Sequence, residues 1–176
     1  MLFRSLNRTG FREIVDGISR TVRDKDWDRL SVLCLDLDGF KSVNDRFGHM
    51  VGDLVLREVS MRIMDVIDPT HIACRTGGDE FVVFVPASAI DTASNLAFRL
   101  IAAIGVPYSV GRGLSVQIGV SIGGTTRAHA YRNTEALLLA ADANLSEAKE
   151  AGRTCYCDER GVARNGTNVH YLRPVS

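Results

Sequence analysis

Two short acidic runs hold the residues best able to do chemistry in this chain. Asp36-Leu37-Asp38 closes an apolar run over residues 30–35, and Asp79-Glu80 follows directly on Gly77-Gly78 and precedes the apolar run 81–85. Carboxylates at the ends of two buried strands can converge on a divalent cation, because Mg²⁺ takes hard oxygen ligands and often shares them with substrate phosphates. Acids beside glycines are also usual turn residues, and the Asp79-Glu80 pair taken alone is more often a solvated corner. The second acidic run, at a separate strand end, favours a site. Lys149 and Arg153, four apart, are expected on one face at the C-terminal end of a helix, where they either meet an anion or complement the helix dipole.

The elements that must position these residues can be read in order. Residues 72–75 and 81–85 form a hairpin whose tip, Gly77-Gly78, is expected to supply the positive φ of a tight turn. A first helix over 11–22 places Phe11, Ile14, Val15, Ile18 and Val22 on one face. Residues 30–35 read as a buried strand, Gly39 relieves the backbone, and 40–47 is helical or looped. A longer helix over 53–67 is marked at its start by Gly52-Asp53 and followed by Pro69. Further helices are expected over 88–104, capped by Ser88 or Asp91 and closed by Gly105, and over 134–151, capped by Thr134 and ended by Gly152. A strand over 116–122, with 108–110 as a weaker partner, and a closing strand over 154–157 complete the set. Interleaved helices and strands with one clear hairpin predict an α+β fold, a mainly antiparallel central sheet flanked by helices. The folded domain is expected over residues 1–157, with 158–176 a loose polar tail.

At 176 residues, 45% hydrophobic and 24% charged, the chain fits one globular domain. Its 21 basic and 21 acidic side chains cancel, so no global field recruits nucleic acid and an anionic ligand must be held by local groups. No apolar run approaches the roughly 20 residues of a membrane span, and the N-terminus lacks the plan of a secretion signal, so a cytoplasmic location is expected. Cys34 and Cys74 fall inside predicted strands as small apolar side chains, and Cys155-Tyr156-Cys157 has the wrong spacing for a zinc knuckle.

The ordered series Asp36-Leu37-Asp38-Gly39-Phe40-Lys41, Asn44-Asp45, Gly48-His49, Gly52-Asp53, Arg75-Thr76-Gly77-Gly78-Asp79-Glu80-Phe81, Ser121-Ile122-Gly123, Ala141-Asp142, Ala148-Lys149 and Gly152-Arg153 resembles the diguanylate cyclase family, the GGDEF domains of bacteria. The resemblance covers about residues 2 to 157. It implies a ferredoxin-like palm related to nucleotide cyclases, in which two GTP molecules become cyclic di-GMP and two pyrophosphates across a homodimer. It further implies Mg²⁺ (or Mn²⁺) on Asp36, Asp79 and the Leu37 carbonyl, with Glu80 a further metal contact or an aid to deprotonating the ribose 3′-hydroxyl. Asn44 and Asp53 resemble the family's guanine readers, and a carboxylate can accept from guanine N1–H and N2–H₂, which adenine does not offer. Lys149 and Arg153 resemble its phosphate clamp, and the backbone of Gly39, Phe40 and Lys41, with Gly77, Gly78 and His49, completes the substrate set. From the residues alone, Asn44 and Asp53 are equally cap or turn residues, Lys41 an exposed lysine and His49 a structural hydrogen-bonder.

Several positions depart from the pattern. Phe3, Arg4 and Ser5 replace the usual threonine, glycine and leucine, and Asn144 and Ser146 stand where alanine and tyrosine are usual. The family's inhibitory product site has an Arg-x-x-Asp motif; the matching positions here are Asp68 and His71, so product is not expected to bind there. The resemblance implies an upstream sensory region in the full-length protein. A GTP-binding sensor or interaction module without turnover is the alternative function.

Overall fold

The structure, a computed structural model, describes residues 4–5, 8–21, 30–85, 90–111, 113–125, 131 and 133–164. In order these form β1 (Arg4–Ser5), α1 (Arg8–Thr21), β2 (Ser31–Asp38), α2 (Phe40–Phe47), α3 (His49–Val66), β3 (Ile72–Arg75), β4 (Glu80–Val85), α4 (Ile90–Ile104), β5 (Tyr108–Gly111), β6 (Leu114–Val116), β7 (Gly119–Thr125), α5 (Thr134–Glu150), β8 (Tyr156–Asp158) and β9 (Gly161–Ala163). Seven strands make one sheet in the order β1-β3-β4-β2-β7-β8-β9, and β5 and β6 pair separately. Neighbours are antiparallel except β1 with β3 and β7 with β8. The α+β class and the largely antiparallel sheet are as the sequence predicts.

The side-chain period of two along β2 divides the core. Leu33, Leu35 and Leu37, with Phe81, Val83 and Val85 of β4, pack against Val55, Val59 and Ile63 of α3 and Leu96, Leu100 and Ile104 of α4. Val32 and Cys34, with Val82 and Phe84, pack on the other face against Ile18 of α1 and Leu137, Ala141 and Leu145 of α5. Continuing that second row puts Asp36 and Asp38 on the α5 face, past the last apolar contact and toward the end of that helix. At Gly123 of β7, a Cβ would stand 2.1 Å from Leu145 N and 2.2 Å from Ala141 O, so α5 rests directly on strand backbone there.

Several boundaries differ from the sequence reading, each for a local reason. β2 runs on through the acids, because Asp36 and Asp38 still pair with Ser121 and Gly119 of β7. α3 starts at His49, not at Gly52-Asp53, because Gly48 (φ 84) turns the chain straight out of α2. The expected strand 116–122 is two: β6 ends at Val116 to pair with β5, and β7 begins at Gly119 in the main sheet. The cap of α5 is Asn133, whose Oδ1 accepts from Ala136 N at 2.8 Å, and not Thr134, which is buried. The closing strand falls at Tyr156–Asp158, and β9 returns beside it, so Asp158 and Gly161–Ala163 are part of the sheet and not a loose tail. Val22, Ser88, the side chain of Asp91, residues 1–3 and the tail from 165 lie outside the described residues. Among the described residues no helix is long and apolar enough to cross a membrane.

Candidate active site

The two acidic runs meet at one end of the sheet. Asp36 faces Glu80 across the β2–β4 pair and Ser121 across the β2–β7 pair, so these side chains share a row on the α5 face. Leu37 N–H donates to the Asp79 carbonyl at 3.2 Å, which ties the strand to the hairpin tip. N–H and C=O of one extended residue point to the same side, so the Leu37 carbonyl also faces that tip. Asp79 is half-buried and Glu80 exposed.

The hairpin tip is built differently from the sequence expectation. Neither Gly77 nor Gly78 has a positive φ. Thr76 N–H reaches Glu80 O at 3.0 Å, and the Arg75 guanidinium folds over the turn, donating through Nε to Gly77 O at 3.0 Å and through Nη2 to Gly78 O at 2.8 Å. What Gly77 provides is room, since a Cβ there would lie 2.5 Å from Glu80 Oε2. Sequence reasoning missed Arg75 as the residue that shapes this turn; its place two residues before the Gly77-Gly78 tip was the available signal.

The basic pair also arrives by another route. Lys149 lies on the last turn of α5 and its Nζ is 2.7 Å from Asp36 Oδ2. Arg153 does not share its helical face, because the helix stops at Glu150 and turns through Gly152 (φ 103) into left-handed backbone at Arg153 (φ 63). Its Nε instead approaches Asp38 Oδ1 at 3.8 Å. Two acids on one face of β2 therefore gather two cations from the end of α5. The departures nearby are absorbed: Asn144 Nδ2 donates to Gly124 O at 2.8 Å, and Ser146 Oγ bonds back to Asp142 O.

Asn44 and Asp53 are brought together by the α2–α3 corner. Gly39 (φ 82) turns β2 into α2, and Gly48 N–H closes α2 on Asn44 O at 2.9 Å. The Asn44 amide lies against Gly52, where a Cβ would stand 1.9 Å from Asn44 Oδ1. Asp53, Lys41 and His49 are exposed, whereas the Phe40 ring is buried in the core, so only its backbone can meet a ligand. The side chains of Asn44 and Asp53 have no hydrogen bond to another described residue, which leaves their polar atoms open to a base.

The donor set suits a hard cation. Mg²⁺ is usually held by one or two carboxylates plus substrate phosphates, and Asp36, Asp79, Glu80 and the Leu37 carbonyl are all oxygen donors at one strand end. No cluster of three metal-ligating side chains is preassembled among the described residues.

The segment matching the product site is closed on itself. Thr70 N–H and hydroxyl both donate to Asp68 Oδ1 and hold that carboxyl below its ordinary range. Asp68 N–H donates to His71 Nδ1, and burial, outweighing the nearby Asp68 charge, keeps His71 below its ordinary 6.5 and hence neutral at pH 7.

A family model described as diguanylate cyclase, GGDEF domain, matches residues 5–155. The bifunctional diguanylate cyclase/cyclic di-GMP phosphodiesterase MucR of Pseudomonas aeruginosa is 40% identical over 141 residues, 80% of this chain and 20% of that protein. Diguanylate cyclase DgcS of Shewanella oneidensis is 40% identical over 128 residues, 72% of this chain and 41% of that protein. The chain thus spans less than half the length of either relative. The crystal structure of the GGDEF domain of YfiN (TpbB) from Pseudomonas aeruginosa superposes with a TM-score of 0.76 at 32% identity, covering 89% of this chain and 98% of that one.

Proposed function

The chain belongs to the GGDEF family of diguanylate cyclase domains, and from that premise we propose that it condenses two GTP molecules into cyclic di-GMP and two pyrophosphates. The observation that carries the reading is the strand-end cluster, in which Asp36 stands opposite Glu80 and is reached by Lys149 at 2.7 Å. Purely structural acids would not need this row of carboxylates at an open strand end.

In each of two linked transfers, the 3′-hydroxyl oxygen of one GTP bonds to the α-phosphorus of the other as the bond to the bridging oxygen of the pyrophosphate breaks. Such a transfer depends on positioning and charge neutralisation more than on a protein nucleophile. Asp36, Asp79 and the Leu37 carbonyl would hold Mg²⁺ (or Mn²⁺), which when bound supplies charge neutralisation on the phosphates. Glu80 takes the hydroxyl proton or joins that donor set. Lys149 and Arg153 meet phosphate oxygens, the backbone of Gly39, Phe40 and Lys41 with Gly77 and Gly78 lines the chain of phosphates, and His49 is a further substrate contact. Asn44 and Asp53 read guanine.

One domain presents one acid cluster and one base-reading corner, so two domains must face each other with a GTP in each. Initial rates measured at saturating GTP are therefore expected to rise with the square of protein concentration while the protein is mostly monomeric. Strict proportionality to protein concentration across a dilution series that reaches monomer would contradict the two-domain reaction.

Guanine selectivity gives a second test. Gly52→Ala should displace the Asn44 amide, which can rotate away, while the buried Phe40 ring, its Cζ 3.2 Å from the new Cβ, has to give by only a few tenths of an ångström. Leaving one base contact unmade costs about 1–3 kcal/mol, so calorimetry should show GTP affinity falling roughly tenfold or more with ATP binding unchanged. Unaltered preference for GTP would remove Asn44 from the base site.

Product should not bind at the Asp68–His71 turn, whose polar groups are already satisfied. Cyclic di-GMP binding that persists against saturating non-hydrolysable GTP and vanishes in His71→Ala would contradict this.

A further inference from the structure

Asp38 has a task separate from that of Asp36. Its side chain is only 9% exposed, and both oxygens accept hydrogen bonds. Ser121 Oγ shares its one proton between Oδ1 at 2.8 Å and Oδ2 at 3.0 Å, while Thr154 donates to Oδ2 through its amide at 2.9 Å and its hydroxyl at 3.1 Å. Thr154 N–H also lies 3.2 Å from Ser121 Oγ.

The segment these bonds hold is a strained one. Arg153 (φ 63) and Thr154 (φ 49) both have positive φ, a region that residues with a Cβ occupy only where the surroundings enforce it. Gly119 is part of the enforcement: a Cβ there would lie 2.3 Å from Thr154 Oγ1 and 3.2 Å from Asp38 Oδ2, so only glycine lets the threonine hydroxyl dock. The anchor itself is rigid, since Asp38 and Ser121 belong to paired central strands. The Arg153 side chain is 61% exposed, with Nε 3.8 Å from Asp38 Oδ1. It is free to meet a ligand while its backbone is not free to wander.

We propose that Asp38 is a positioning residue that pins the Arg153–Thr154 turn to the β2–β7 strands and so aims the Arg153 guanidinium at the GTP phosphates. The phosphate half of this rests on the cyclase reading; the pinning does not.

The test compares Asp38→Asn, Arg153→Ala and the double variant, each measured for binding of non-hydrolysable GTP and of guanosine, with hydrogen exchange at the Thr154 amide. Asp38→Asn should weaken GTP binding roughly tenfold, leave guanosine binding unchanged and speed exchange at Thr154. The double variant should be no weaker than Arg153→Ala, because the two residues act through one contact. Unchanged GTP affinity in Asp38→Asn, additive losses in the double variant, or an equal loss for guanosine would overturn the proposal. Should Asp38→Asn not fold, Gly119→Ala carries the same test, since it dislodges Thr154 with the carboxylate intact; full GTP affinity there would overturn it equally. Faster Thr154 exchange in a protein whose wild type binds no GTP would overturn the phosphate role through the cyclase reading and leave a structural tether alone.

Discussion

Asp36→Ala is expected to abolish GTP turnover, by about a thousandfold or more, with little change in thermal stability. Asp36 lies at the end of a strand row, its side chain 18% exposed, past the apolar contacts that α5 makes with the sheet. Removing its carboxyl empties no apolar space. Lys149, 35% exposed, returns to water, and the ion pair lost is of a kind worth about 0–1 kcal/mol. The catalytic loss has no such escape, because Asp36 is the acid that faces both Glu80 and Lys149. Asp79→Ala should behave alike, since its backbone bond to Leu37 survives the change. Turnover assays beside thermal melts decide the matter; near-normal turnover in a folded Asp36→Ala protein would remove Asp36 from the site.

Gly123→Ala should do the opposite, unfolding the protein more readily and taking activity with it. The added methyl would meet Leu145 N at 2.1 Å and Ala141 O at 2.2 Å, and both are helix backbone, so no rotamer relieves the clash. Helix α5 must lift off β7, giving up the contacts of Leu137, Ala141 and Leu145 with the sheet. Overpacking of this sort costs about 3 kcal/mol, and urea titration should show it as a lower midpoint. Because Lys149 rides on the same helix, its reach to Asp36 should fail as well. A midpoint equal to wild type would mean that α5 does not rest on Gly123 as described.

The contrast between Asp36 and Gly123 shows what could be read before the fold was known. That acids end two strands was legible, since apolar runs stop at Asp36 and resume after Glu80. That Asp36 meets Lys149 while Asp38 holds Ser121 and Thr154 was not, because the partners of Asp38 are 83 and 116 residues away. Helical spacing put Lys149 and Arg153 on one face, but Gly152 breaks the helix between them and long-range pairing restores their proximity. Asn133 and Thr134 are both competent caps, and only the backbone, extended at Asn133, chooses between them. Residues 116–122 read as one strand because their alternation is unbroken; the register of two different sheets divides them. Strand β9 is too short to stand out in a polar stretch, and it forms because β8 offers an edge. The hairpin glycines were read for φ, which neither needs, whereas Gly77 provides space beside Glu80.

Incubating the protein with GTP and Mg²⁺ and resolving the products by chromatography tests the central claim most directly. Conversion of GTP to cyclic di-GMP, with two pyrophosphates released per product and none formed from ATP, is the result predicted from the strand-end acids and the Asn44–Asp53 corner. Binding of GTP with no product, from a dimeric protein at saturating Mg²⁺, would contradict it and leave a nucleotide-binding module.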